Sequence, residues 1–180
     1  NLSTSSPSVS SGTINGIVVS GSLTSMLTTI KNNTIGDLKA TAASSLDAIR
    51  GISITSTGTT SAINVYYNTI NINAASSGTI FGTTVIYHTT STTATTATLD
   101  LRNNIIVNAS TPKSTGITAA FRRSSNTFAN YSSSSDNNLF YAGTPGSSRV
   151  ILYNGTGYQT ITTYKAIVGG GRDASSITDD

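Results

Sequence analysis

Apolar residues recur along this chain in short alternating runs, and the runs return at a near-constant interval. Ile63-Asn64-Val65-Tyr66 and Leu99-Asp100-Leu101-Arg102 alternate apolar and polar positions with period two. That is the pattern of a half-buried strand, whose successive side chains point to opposite faces. One run, I-K-N-N-T-I at Ile30 to Ile35, returns as V-Y-Y-N-T-I at Val65 to Ile70 and as L-R-N-N-I-I at Leu101 to Ile106. A degenerate copy, S-D-N-N-L-F, spans Ser135 to Phe140. The anchoring residues Asn33, Asn68, Asn104 and Asn138 are 35, 36 and 34 positions apart. A second motif, Gly16-Ile17-Val18-Val19, keeps the same phase through Gly51-Ile52-Ser53-Ile54 and three later copies. Aligning Ile17, Ile52, Val85, Ile117 and Val150 gives steps of 35, 33, 32 and 33.

A period in the thirties without 3.6-residue amphipathicity excludes helical repeats and predicts coils of short strands. One coil cannot bury its apolar face alone, so neighbouring coils must stack. The expected fold is all-β: a right-handed parallel β-helix, or solenoid, of about five coils. Ile30, Val65 and Leu101 should point inward as one column, and Ile35, Ile70, Ile106 and Phe140 as another. A third, weaker strand follows each Asn, marked by Leu38, Ile72 and Val107, with Leu2 as a remnant of an earlier coil. Asn33, Asn68, Asn104 and Asn138 should form a structural ladder. Asn tolerates a left-handed backbone at a turn, and stacked side chains can hydrogen-bond along the column. Replacing Asn68 or Asn104 by Ala should then cost about 1–2 kcal/mol.

The pattern changes near the end. Thr160 to Val168 reads as a short helix, with Thr160 as N-cap, Ile161, Tyr164 and Ile167 on one face, and Gly169-Gly170-Gly171 as its stop. Residues 172–180 read as the start of a further coil. The polar runs Thr89 to Thr98 and Ser124 to Ser135 read as external turns. The whole of 1–180 is expected to be one β-helix segment, an internal fragment of a longer repeat protein.

Composition agrees with strands. Ser and Thr make up about a third of the chain, only 9% of residues are charged, and every acid is Asp. Strands favour the Thr, Val, Ile and Tyr found here. The net charge of +3 is small and its cations are scattered, Arg122-Arg123 being the one adjacent basic pair. Nucleic-acid binding, which needs clustered cations, is not expected. There is no Cys, hence no thiolate metal site. No apolar run is long enough for a membrane-spanning helix.

The N-N-T-I and G-I-x-I strands resemble the right-handed parallel β-helix repeat proteins of the pectate-lyase-like superfamily, as do S-D-N-N-L-F-Y-A-G at Ser135 to Gly143 and Y-K-A-I-V-G-G-G-R-D-A-S-S-I-T-D-D at Tyr164 to Asp180. More narrowly they resemble the large type-IX-secreted surface proteins of gliding-type bacteria. The resemblance covers nearly the whole chain from about Ile14. It implies secretion, modular architecture and a place at the cell surface or in the extracellular matrix.

Some β-helices of this kind are polysaccharide lyases or hydrolases, which need clustered carboxylates with a Lys or Arg. The repeat register places Lys31, Tyr66, Arg102 and Asp136 in one outward column and Thr29, Asn64, Asp100 and Ser134 in the next. Tyr66, Asp100, Arg102 and Asp136 therefore form a candidate glycan patch, against the plainer reading of an Arg102–Asp136 surface ion pair. His88, the lone His, reads as a solvent-facing residue at a strand end. Asp173, Asp179 and Asp180 are a weak candidate for a cation shared with a neighbouring domain. Sequons stand at Asn1, Asn32, Asn108, Asn130 and Asn154 and matter only in a glycosylating host. No G-x-S-x-G elbow or phosphate loop is present. Neither enzyme activity nor a cofactor nor a resident metal is expected. The expected role is a structural or adhesive module, in which neighbouring β-helix domains or identical subunits meet end to end, with surface polysaccharide as a further partner. The alternatives are a glycan-binding module and a lyase or hydrolase.

Overall fold

The computed structural model describes residues 2–5 and 12–179. The first coils supply β1 (Leu2–Ser5), β2 (Ile14–Val19), β3 (Leu27–Lys31), β4 (Thr34–Lys39) and β5 (Ser45–Ile54). There follow β6 (Ala62–Tyr66), β7 (Thr69–Ile72), β8 (Phe81–His88), β9 (Thr98–Arg102) and β10 (Ile105–Asn108). The last part holds β11 (Thr118–Arg123), β12 (Leu139–Tyr141), β13 (Arg149–Tyr153), β14 (Gly157–Tyr158) and α1 (Ile161–Val168).

Strands β1 to β13 each pair in parallel with a counterpart one repeat away, while β14 folds back antiparallel on β13, and the chain is a β-solenoid of about four turns. Sheet C, before the ladder Asn, has the order β3-β6-β9. Sheet A, after it, runs β1-β4-β7-β10-β12, and sheet B runs β14-β13-β11-β8-β5-β2. The expected count of about five coils is one too many. In the last turn the sheet C position is filled by a loop that makes only isolated bridges, Leu99 with Tyr131 and Arg102 with Asp136. That loop is the predicted external run Ser124 to Ser135, and it is partly internal: Asn130, Tyr131 and Ser135 are buried. In the Thr89 to Thr98 run, expected as an external turn, Thr92 to Thr95 are exposed, the flanks are half-buried and Ala97 is buried.

The two predicted core columns are in place. Ile30 pairs with Val65 and Val65 with Leu101, while Ile35, Ile70, Ile106 and Phe140 form the column across the ladder corner. All seven are buried. Burying such a side chain contributes about 1.5–3 kcal/mol, so these columns are a main source of stability. The sheet B register differs from the expected one. Ile17 and Ile52 align with Ile86, Phe121 and Leu152, not with Val85, Ile117 and Val150. Residues Phe81 to Ile86 of β8 are all buried, so alternation carries no phase there, and the intervening loops differ in length. The motif glycine has a steric reason: a Cβ on Gly51 would lie 2.7 Å from both Ile70 Cγ2 and Val85 O.

The left-handed residue at the ladder corner is the one before each ladder Asn: Asn32, Tyr67, Asn103 and Asn137, with φ of 54–58°. The ladder Asn side chains are instead held for hydrogen bonding. Tyr67 is the misfit in this set, because a bulky residue pays a steric cost there that Asn escapes. Its ring is 61% exposed, so little packing is lost on removal. Tyr67→Asn should stabilise the chain by about 1 kcal/mol, seen as a higher urea midpoint at unchanged m-value.

Helix α1 starts as predicted. Thr160 accepts from Thr163 N–H, and Thr163 closes the capping box. Gly169, Gly170 and Gly171 all have positive φ. Its inward face is Tyr164 and Val168, while Ile167 is exposed; the i+4 neighbour of Tyr164 points to the core where i+3 had been expected. Tyr164 packs edge-on against Phe140, ring centroids 5.1 Å apart. Among the described residues no helix is long and apolar enough to cross a membrane.

Candidate functional site

The predicted patch lies on the outward face of sheet C, and the register puts its columns where the repeat placed them. Lys31 pairs with Tyr66 and Tyr66 with Arg102; Thr29 pairs with Asn64 and Asn64 with Asp100. Three of the four candidates come together. Arg102 grips Asp100 with two bonds, Nε to Oδ1 at 2.8 Å and Nη2 to Oδ2 at 2.5 Å. Tyr66 donates its hydroxyl to Asp100 Oδ2 at 2.7 Å, and the guanidinium lies 5.5 Å from the Tyr66 ring centroid. Partial burial together with the Asp100 acceptor pushes the Tyr66 hydroxyl up to about 12, so it remains a donor at neutral pH.

Asp136 stands apart. Its backbone bridges Arg102, but its carboxylate accepts Ser175 N–H at 2.7 Å. Burial works against its charge, yet hydrogen bonds from Asn137 and Ser175 win and lower its pKa. The ion pair of this surface is Arg102–Asp100 within one strand, where Arg102–Asp136 between coils had been expected. Arg102 is 40% exposed, so the pair contributes little. Asp100→Ala should destabilise by under about 1 kcal/mol in a thermal melt.

The ladder is continuous. Asn33 Nδ2 donates to Asn68 Oδ1, Asn68 Nδ2 to Asn104 Oδ1 and Asn104 Nδ2 to Asn138 Oδ1, at 2.9, 3.0 and 2.9 Å. Each of these acceptor oxygens also takes the backbone N–H of the preceding ladder Asn, at 3.0–3.1 Å. The file then runs on where no ligand had been expected: Asn138 Nδ2 donates to Asp173 Oδ1 at 3.0 Å. Asp173 is buried, and its other oxygen receives Tyr131 and Tyr164 hydroxyls, each at 2.5 Å. Burial raises its pKa despite these donors. Asp173 is therefore an internal anchor and not part of a surface cation site. Asp179 is exposed and Asp180 lies outside the described residues. Ile177 bridges Leu139 in parallel, extending sheet A by one contact.

His88 also departs from expectation, being fully buried. Nε2 lies 3.0 Å from Ala97 O, and Nδ1 accepts from Arg123 Nη1 at 2.6 Å. Those partners require a neutral ring with its proton on Nε2. Arg123 is buried beside it and donates to Thr127 O and Asn130 Oδ1, among the rings of Phe121, Phe128 and Tyr131. Desolvation lowers the Arg123 pKa to about 10. The signal was in the repeat: Ile54, His88 and Arg123 are register partners, a column whose apolar member gives way to two polar ones. Three sequon asparagines, Asn108, Asn130 and Asn154, are buried, while Asn32 is exposed.

A second charged surface escaped the sequence reading altogether. The outward face of sheet B carries Asp47, Arg50, Tyr87, Arg122 and Tyr153 around one cleft. Tyr87, Arg122 and Tyr153 are consecutive register partners, which the misaligned sheet B motif had hidden. Among the described residues no group of three or more His, Cys, Asp or Glu side chains is placed to hold a metal. No family model, curated protein or solved structure matches this chain.

Proposed function

We propose that this chain is a structural or adhesive module of a secreted or cell-surface protein, of the right-handed β-helix type seen in large type-IX-secreted bacterial proteins. The observation that supports it is the unbroken ladder from Asn33 to Asp173. A hydrogen-bonded file along the stacking axis ties each coil to the next and makes a stiff spacer. Neighbouring β-helix domains or identical subunits meet it end to end, because unpaired strand edges at the end of a stack are templates for further pairing. The test is placement and mechanics. Antibodies to this segment should label intact cells of the source organism, and single-molecule stretching should show unfolding in one or two large steps. Labelling only after permeabilisation would overturn the surface assignment, and low-force, coil-by-coil extension would overturn the spacer.

A second reading, glycan binding, is favoured by the Tyr66–Asp100–Arg102 cluster. A guanidinium, a carboxylate and a phenol on one ordered strand surface offer both donors and acceptors to sugar hydroxyls. Polysaccharide cleavage is the weaker variant of this reading.

A further inference from the structure

The outward cleft on sheet B differs from the sheet C patch in its charge balance. It is an open depression of about 350 Å³. Arg50 is well engaged: its Nε donates to Asp47 Oδ2 at 2.7 Å, its Nη1 to Ser53 Oγ at 3.2 Å, and its guanidinium stacks 3.6 Å over the Tyr87 ring. The other oxygen of Asp47 accepts Thr84 Oγ1 at 2.6 Å. Arg122 shares that same carboxylate only loosely, with Nε 3.9 Å from Oδ1 and without a hydrogen bond. Its remaining contacts are Leu46 O at 3.5 Å and the Tyr153 ring at 4.8 Å. Two guanidiniums thus share one carboxylate that is already spoken for, and Arg122 is the one whose buried Nε has no hydrogen-bond partner and whose single bond is a long one. It is also held in place, its side chain only 12% exposed, so little conformational entropy would be lost on binding. The rings of Tyr87 and Tyr153 flank it one rung away on either side, about 5 Å each, and among the described residues their hydroxyls carry no hydrogen bond.

We propose that this cleft binds an acidic sugar: Arg122 takes the carboxylate or sulfate, and the Tyr87 and Tyr153 hydroxyls take ring hydroxyls beside it. The anion supplies the partner that Asp47 does not, and charge-assisted bonds from a guanidinium to such a group are among the stronger polar contacts. This rests on the glycan-binding reading and moves its centre from sheet C to sheet B.

The test titrates the isotopically labelled 180-residue chain with a short oligouronate, a sulfated oligosaccharide lacking carboxylates, and a neutral oligoglucan. At least one of the two anionic sugars should bind, with shifts centred on Arg122, Tyr87 and Tyr153. The neutral one should bind at least about ten-fold more weakly. The two anionic probes decide between carboxylate and sulfate. Arg122→Gln should weaken anionic binding about ten-fold, whereas Arg102→Gln on sheet C should leave it unchanged. Because the titration of the unaltered chain maps the site by itself, a poorly folded variant does not block the decision. Shifts centred on Tyr66 and Arg102 would overturn the cleft while sparing the glycan reading. Failure of both anionic sugars to bind would overturn the two together, and equal affinity for the neutral sugar would overturn the role given to Arg122.

Discussion

Replacing Asn104 by Ala is expected to cost about 3 kcal/mol and to lower the melting temperature by roughly 10 °C. The side chain serves two coils at once. Its oxygen accepts both the backbone N–H and the Nδ2 of Asn68 at 3.0 Å. Its Nδ2 reaches Val65 O at 2.8 Å and Asn138 Oδ1 at 2.9 Å. Asn68 Nδ2 keeps Ile30 O and Tyr66 O after the change, but Asn68 N–H loses its buried acceptor, and Val65 O and Asn138 Oδ1 each lose one donor. The orphaned N–H costs about 1–3 kcal/mol and each lost bond adds about 1 kcal/mol, which lifts the figure above the 1–2 kcal/mol that the ladder pattern alone suggested. Asn104→Asp sharpens the test. A carboxylate can accept from Asn68 but cannot donate to Val65 O or Asn138 Oδ1, and it buries a charge. That variant should be worse than Ala at pH 7 and should recover part of the loss near pH 4, where the acid can be protonated. A cost under 1 kcal/mol for Ala in a chemical melt would mean the ladder is decoration.

The ladder and both columns flanking it were legible because their repeat length hardly varies and alternation is clean on each side of Asn33, Asn68, Asn104 and Asn138. The outward sheet C columns followed from the same phase, which is why Tyr66, Asp100 and Arg102 could be placed together. What could not be read was which partner a side chain chooses once placed. Asp136 sits beside Arg102 in register yet turns to a backbone N–H from a loop 39 residues on. Sheet B was harder. Its middle strand is buried through six successive residues, so polarity carries no record of which side faces in, and the cleft around Arg122 disappeared with the register. Asp173 was hidden for another reason: its partners Tyr131 and Tyr164 come from a loop and a helix that break the repeat.

Mild acidification should destabilise this chain chiefly through one residue. His88 is the only His, and burial, with the Arg123 charge adding to it, lowers its pKa from 6.5 to about 3. The folded state therefore binds this proton less readily than the unfolded state. Its stabilising contribution is complete above pH 6.5 and is lost as pH falls from there toward 3, at about 1.4 kcal/mol per pH unit. The loss reaches about 2 kcal/mol by pH 5 and on the order of 4 kcal/mol near pH 3. Protonation would turn Nδ1 from acceptor to donor against Arg123, placing two cations at hydrogen-bond distance, and Asn130 and the surrounding rings offer no negative charge. Asp173 works in the opposite sense. Its raised pKa means that its contribution is fully present below the ordinary carboxylate range and is lost as pH rises through the folded value. Asp136, with its lowered pKa, adds to the acid loss only below that range. Asp173 offsets part of the His88 loss wherever the two windows overlap, so the His88 effect is read as the difference between the parent chain and a variant without that imidazole. Urea melts at pH 7, 6 and 5 should show the slope, and His88→Gln, which can still accept from Arg123 and donate to Ala97 O, should remove it. A slope that survives in His88→Gln would assign acid sensitivity to the carboxylates and return His88 to an ordinary packing role.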